Sequence, residues 1–263
     1  MAIALRTAFG VLAVTFLIAP LIAVLPLAFT SSVFLNYPVP SYSLRWFEEL
    51  ATQEVWRRSI VNSLIIGAGT TVLATVLGTL AALGLRGRRL PLRGILRATF
   101  LLPIVVPDVV LGVGMQLCFA PIGLANSYLG VILAHTVLAV PFVVVNVSAS
   151  LSGIDPRIER AAASLGAAPA TVFRRVTLPL TLPGVVSGAA FAFATSLDEV
   201  VLTLFVAGPN QRTLARQMFS SIRENISPAI AAAAFLFIVG TLLVAALTWL
   251  LRARLKPRPT PLG

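Results

Sequence analysis

Three carboxylates, Asp108, Asp198 and Glu199, lie inside long apolar stretches of a chain that otherwise keeps charge out of them. Desolvating an ionisable side chain is expensive, and it persists in such a setting where it meets a cation, a proton or another polar group. No Lys or Arg falls within the same apolar blocks. The balancing charge would come from a partner subunit or from a cationic solute passing between the helices; alternatively the acids lie near a span end or hydrogen-bond to backbone. Two other chemistries use carboxylates so placed: proton sites in a gradient-driven carrier, and a proton-sharing dyad about 3 Å apart in an acid protease.

The remaining reactive side chains narrow the choice. The chain has one lysine, Lys256, close to its C-terminus, and nowhere the G-x-x-x-x-G-K-[ST] pattern that cradles nucleotide phosphates. No cofactor is expected on this chain, and any ATP with its Mg²⁺ would be hydrolysed by a partner. A single cysteine, Cys118, excludes an intramolecular disulfide and a cysteine-based metal cluster. The one histidine, His135, sits in an apolar block and reads as a residue packed between helices rather than a ligand. Asn62, Gln116, Asn126 and Asn146 are of the type that can hydrogen-bond one membrane helix to another, but each reads first as a packing residue.

The elements that must position these groups are membrane spans. Of 263 residues, 58% are hydrophobic and 11% charged, against a charged share of about 25% in soluble domains. Mean hydropathy is +0.96. Runs of about 20 apolar residues cross a bilayer as helix. Six are present, at 7–29, 59–85, 99–119, 127–148, 183–207 and 229–251, within what reads as a single membrane domain covering 1–263. The first is too long for the core of a signal peptide and reads as a retained span. Pro20, Pro26, Pro103, Pro107 and Pro141 mark expected kinks. The net charge of +11 resides in short loops with no basic face interleaved with aromatics, which argues against nucleic acid. With both termini inside, fourteen Lys and Arg fall on the cytoplasmic side and six on the other, so the charge bias favours that orientation. The outer loop 30–58 carries Tyr37, Tyr42, Trp46 and Trp56, suited to a membrane interface. A second outer loop spans 208–228, and the basic, Pro-rich tail after Arg252 reads as disordered.

The same orientation places loop 149–182 in the cytoplasm, and this loop has structure of its own. Ile158, Ala161, Ala162 and Leu165 share one helical face, and Gly166 supplies a left-handed stop. Pro169 suits the first turn of a second short helix, with Val172, Phe173 and Val176 as its apolar stripe and Leu178-Pro179 closing the unit. Two short helices joined at a glycine between spans make a docking element. An amphipathic connector lying on lipid would look similar.

The spacing from Arg160-Ala161-Ala162 through Gly166 to Val176, Leu178 and Pro179 resembles the EAA motif of ABC importer permeases, E-A-A, three residues, G, nine residues, I-x-L-P. The resemblance implies an all-α membrane protein with the type I importer permease (MetI-like) fold of six spans. It also implies that this loop inserts a coupling helix into a groove of an ATPase subunit. The chain departs from the motif at Arg160, where Glu is usual. Glu159 is acidic but points about 100° away around a helix, which puts any inherited salt bridge in question.

Further stretches sharpen the resemblance. Ser196-Leu197-Asp198-Glu199-Val200-Val201, Pro107-Asp108-Val109-Val110, Pro40-Ser41-Tyr42-Ser43-Leu44-Arg45-Trp46-Phe47 and Ile226-Ser227-Pro228 are similar to the second permease subunit of spermidine/putrescine importers. That likeness runs from about Pro20 to Leu251. It implies an ATPase dimer, a second permease subunit and an extracytoplasmic solute-binding protein as partners, and location in the bacterial inner membrane. Relatives of this subgroup also carry opines or aminoethylphosphonate. Acids without bases along the spans fit a polyamine cation independently of the resemblance. A gradient-driven carrier would show two related halves with matching broken helices, and neither is visible. Pro107-Asp108 and Leu197-Asp198 lack the Tyr-Asp and Gly-x-Gly-Asp contexts of intramembrane aspartyl proteases.

Overall fold

The computed structural model describes residues 2–87 and 90–255. Arg88, Arg89, Lys256 and Arg258, counted above for topology, lie outside the described residues, as does most of the basic tail. Twelve helices follow one another: α1 (Ala2–Leu27), α2 (Arg45–Thr52), α3 (Glu54–Leu85), α4 (Arg93–Val105), α5 (Asp108–Phe119), α6 (Tyr128–Ser152), α7 (Pro156–Ser164), α8 (Pro169–Val172), α9 (Leu178–Asp198), α10 (Val201–Val206), α11 (Leu214–Glu224) and α12 (Ala229–Leu255). A π turn, Phe173–Thr177, joins α8 to α9. Five helical stretches are long and apolar enough to cross a membrane, and a sixth span results if the bent pair α4–α5 is taken as one.

Two expected spans are not continuous. The third, expected at 99–119, begins earlier as α4 and turns by 103° into α5. The cause is local: a residue before proline is driven out of the helical region, and Val106 is extended at φ −74°, ψ 132°. Pro107 then opens α5, with Asp108 as its first residue. Pro20, Pro26, Pro103 and Pro141 instead lie inside continuous helices. The fifth span, expected at 183–207, ends as α9 at Asp198 and resumes as the six-residue α10. At its other end the expectation of a unit closed by Leu178-Pro179 fails, because α8, the π turn and α9 run on as one helical stretch, Pro169–Asp198. Pro179 cannot bond to the carbonyl four residues back and its ring crowds that group. The wide π turn falls where that carbonyl lies, at Arg175, so the helix passes the proline without ending.

Contacts sort the described residues into two units, 2–60 with 217–241, and 61–87 and 90–216 with 242–255. In the first, the segment after α1 is tied back on itself by Ser43 N–H to the Phe29 carbonyl (2.7 Å) and Ser31 N–H to that of Ser41 (3.0 Å). The rings of Phe29, Phe47 and Phe235 pack with centroids 5.1–5.6 Å apart. Trp46 and Trp56, expected at a membrane interface, are buried at 4% exposure each, whereas Tyr37 and Tyr42 are exposed.

The second unit is built on α6 packed against α9, around Ala139, Val143, Val147, Leu151 and Ala192. Gly184 and Gly188, one turn apart on α9, permit the approach. A Cβ at Gly184 would lie 2.5 Å from that of Ser150, and one at Gly188 would lie 3.0 Å from the Val143 Cα. Small residues at this spacing are how membrane helices gain close contact where apolar burial gives no advantage over lipid. Asn62, expected mainly to pack, instead hydrogen-bonds across the fold. Its amide donates to the carbonyls of Asn210 and Arg212 at 2.9 Å and its oxygen accepts from the Tyr128 hydroxyl at 2.8 Å.

Candidate functional site

The helical connection between α6 and the stretch entering α9 is built as the sequence pattern requires. Asp155 caps α7 by accepting from Arg157 N–H at 2.8 Å, and Pro156 fills the first turn. At the other end Gly166 N–H bonds the Ala163 carbonyl and Ala167 N–H that of Ala162. This paired closure requires a left-handed residue, and Gly166 adopts φ +84°. Nothing lies within 4 Å of where its Cβ would stand. The demand for glycine here is thus set by the backbone, not by crowding.

Most of the apolar face of α7 points outward. Ile158 and Leu165 are exposed, Leu165 at 90%, and Ala161 is exposed beside them. Arg160 is exposed as well, whereas Glu159 and Ala162 turn towards the protein. Glu159 Oε1 accepts from Arg86 Nη1 at 2.5 Å and from Thr177 Oγ1 at 2.6 Å. The acid one position from the motif's usual place therefore does make an ion pair, with an arginine of this same chain. Partial burial works against its charge, but the Thr177 hydroxyl, the Arg86 guanidinium hydrogen bond and the Arg86 charge together hold its carboxyl below the usual range. Val176 and Leu178 are partly buried and Pro179 is exposed, all within the continuous stretch that becomes α9.

The two helix breaks bring the three intramembrane acids into one neighbourhood. Asp108 opens α5, Asp198 ends α9, and Glu199 lies in the break before α10. Asp108 and Asp198 are both within electrostatic reach of Glu199, and α5 packs along α10, where Gly112 admits the ring of Phe205. The three are not equivalent. Glu199 is 8% exposed, and its Oε1 accepts from Leu202 N–H at 2.7 Å, capping α10. The far end of α10 is held by Arg216, whose Nη1 donates to the carbonyls of Thr203 (3.1 Å) and Ala207 (2.8 Å). An acid at the N-terminus and a base at the C-terminus both suit the helix dipole. Asp108 and Asp198 are exposed. Asp108 is the first residue of α5, and Asp198 is the last residue of α9, at the negative end of its helix dipole, where a cation is favoured. Neither takes part in the ion pairs Arg58–Glu54 and Arg86–Glu159.

His135 is a packed helix-interface residue, as its setting suggests. Its ring nitrogens contact Ser196 Oγ at 2.9 Å and Thr203 Oγ1 at 3.0 Å, joining α6 to both sides of the break. Arg86, Thr177 and Arg216 have no counterpart in the sequence reading. Arg86 directly follows an apolar block on the side of the docking loop, which is a usable signal. Thr177 and Arg216 carry none, since what each contacts depends on the π turn and on the α9–α10 break.

The binding-protein-dependent transport system inner membrane component family matches residues 74–258. The chain is 36% identical over 250 residues to the putrescine transport system permease protein PotI of Escherichia coli (strain K12), covering 91% of this chain and 88% of that one. It is 30% identical over 247 residues to the spermidine/putrescine transport system permease protein PotC of Haemophilus influenzae, covering 94% and 96%. Among solved structures, a bacterial ABC transporter that imports the acidic polysaccharide alginate shares the fold, with a TM-score of 0.74 over 94% of this chain and 95% of that one, at 12% identity.

Proposed function

The chain belongs to the family of binding-protein-dependent transport system inner membrane components, a multi-pass membrane permease family, and we propose that it passes polyamines such as putrescine or spermidine inward by alternating access. The observation that carries the substrate class is the pair of exposed carboxylates, Asp108 at the α4–α5 break and Asp198 at the α9–α10 break. Helix C-termini and unwound backbone at such breaks coordinate cations in transporters. Asp198 places a formal charge on that negative end. A diamine presents ammonium groups that could meet both carboxylates in turn. Because one fold hosts importers of quite different solutes, the argument for a cation rests on these residues and not on the fold. The similarity to PotI and PotC supports the same choice.

In this reading α7 is the coupling helix, with Glu159, Arg160, Ala161, Ala162, Gly166, Val176, Leu178 and Pro179 forming the loop that an ATPase dimer drives. Its outward apolar face, crowned by Leu165, offers that partner a hydrophobic anchor. ATP and Mg²⁺ bind only to the ATPase. A second permease subunit completes the pathway, an extracytoplasmic binding protein delivers solute, and both termini of this chain face the cytoplasm of a bacterial inner membrane. ATP binding shifts the population between inward- and outward-facing states by binding one of them better.

The test is uptake of labelled putrescine into proteoliposomes carrying the complex purified through this chain, with its binding protein added. Uptake is expected to require ATP and to survive collapse of the proton gradient. Uptake abolished by gradient collapse in the presence of ATP contradicts the reading and favours a gradient-driven carrier. Competition by an opine or aminoethylphosphonate, with none by putrescine, would keep the machine and replace the substrate.

A further inference from the structure

Besides facing a partner, α7 must be attached to the spans that are to move, and its own packing is thin: none of its residues is buried. One oxygen, Glu159 Oε1, receives two donors from different elements. Arg86 lies immediately beyond the last residue of α3, a helix of 32 residues. Thr177 is the last residue of the π turn that leads into α9, and it is 5% exposed. An extra residue in a helical turn rotates everything after it by about 100°. The π turn thereby lets Thr177 face α7 while Arg174 and Arg175 on the same turn stay exposed.

We propose that Arg86, Glu159 and Thr177 form the joint that delivers displacement of α7 simultaneously to α3 and α9, making Arg86 and Thr177 positioning residues for coupling. This rests on reading α7 as the coupling helix. The ion pair is partly solvent-exposed, at 26% and 24% for the two side chains. Pairs of that kind contribute little to folding, so its worth lies in geometry. One carboxylate oxygen fixes the angle of α7 against two spans, and the contact can loosen and reform within a transport cycle. A joint of this type does not wait on the partner, because all three residues belong to one chain and stand in contact within it.

The experiment measures ATP hydrolysed per putrescine transported in the reconstituted complex, for wild type, Glu159→Gln, Arg86→Gln, Thr177→Val, Thr177→Ser and the exchange Arg86→Glu with Glu159→Arg. Expected are a rise in the ratio of about fivefold or more for the two Gln variants and for Thr177→Val, with complex yield and the KM for ATP unchanged. Thr177→Ser is expected to return it to within about twofold of wild type, whereas the exchange, which restores the charge pair but takes the carboxylate away from Thr177, is expected to leave it raised; full restoration by the exchange would assign the effect to the ion pair alone and overturn the three-residue joint. A purely structural role would lower yield and leave the ratio of the surviving complex unmoved. Unchanged ratios in Glu159→Gln and Thr177→Val overturn the joint while leaving the coupling helix intact. Should Glu159→Gln fail to assemble, Thr177→Val keeps the ion pair and decides the matter alone. A wild-type complex with no ATP-dependent uptake overturns the joint together with the reading it rests on.

Discussion

Replacing Asp108 and Asp198 together with asparagine is expected to lower putrescine kcat/KM by at least about 30-fold while the complex assembles in normal yield. Truncating one member of a charge pair that becomes desolvated when the diamine is bound costs on the order of 2–5 kcal/mol, and a factor of 30 corresponds to about 2 kcal/mol. Asparagine keeps the volume of aspartate, and both side chains are exposed. Helix packing therefore has no reason to change. Glu199→Gln is expected to behave differently. A glutamine oxygen can still accept from Leu202 N–H and preserve the cap on α10, so uptake should stay within a few-fold of wild type. Initial rates of labelled putrescine uptake across a concentration series separate these outcomes. Wild-type kinetics in the Asp108→Asn, Asp198→Asn double variant would remove the carboxylates from the pathway. Loss of uptake in Glu199→Gln with the double variant unaffected would assign the acids a structural role only.

The second large effect is expected at Gly166. A valine there should lower uptake by about tenfold or more at unchanged membrane abundance, whereas asparagine should be nearly silent. The reason is the backbone. Residues other than Gly pay roughly 1–2 kcal/mol in the left-handed region, Asn and Asp least, and β-branched residues are genuine outliers there. The open space around the Cβ position rules out a clash within this chain. The contrast between valine and asparagine thus isolates conformation from size. Relaxing φ from +84° undoes the hydrogen bonds from Gly166 and Ala167 that end α7, and with them the angle at which Leu165 is presented. Putrescine uptake beside immunoblotted membrane levels reads this directly. Equal uptake by the valine and asparagine variants would mean that this turn does not set coupling.

Much of this arrangement is legible in the sequence because its causes are local. Length of apolar run gives the spans, and Gly166 gives the C-terminal end of α7 through a capping rule that depends on a few neighbours, whereas its start at Asp155-Pro156 lies ahead of the face read from Ile158. The three acids stand out because charge in an apolar block is rare. What stays hidden depends on partners distant in sequence. Val106-Pro107 announces a disturbed helix, but nothing in it specifies a turn of 103°. Glu199 reads as an intramembrane charge until the break supplies Leu202 N–H as its partner. The π turn is invisible to a period of 3.6, so Pro179 looks like an ending when the helix passes through it. The same blindness conceals Thr177. Arg160 draws attention away from Glu159, which forms its ion pair with Arg86, 73 positions away.

If α7 presents its apolar face to an ATP-hydrolysing partner, Leu165 at 90% exposure is the residue that meets it. A photo-crosslinking amino acid at position 165, irradiated in native membranes and followed by mass spectrometry of the adduct, tests this contact most directly. One dominant adduct is expected, to a subunit bearing a nucleotide-binding phosphate loop, with a yield that changes when ATP is added. Adducts to lipid alone, or to a second copy of this chain with no effect of ATP, would contradict it.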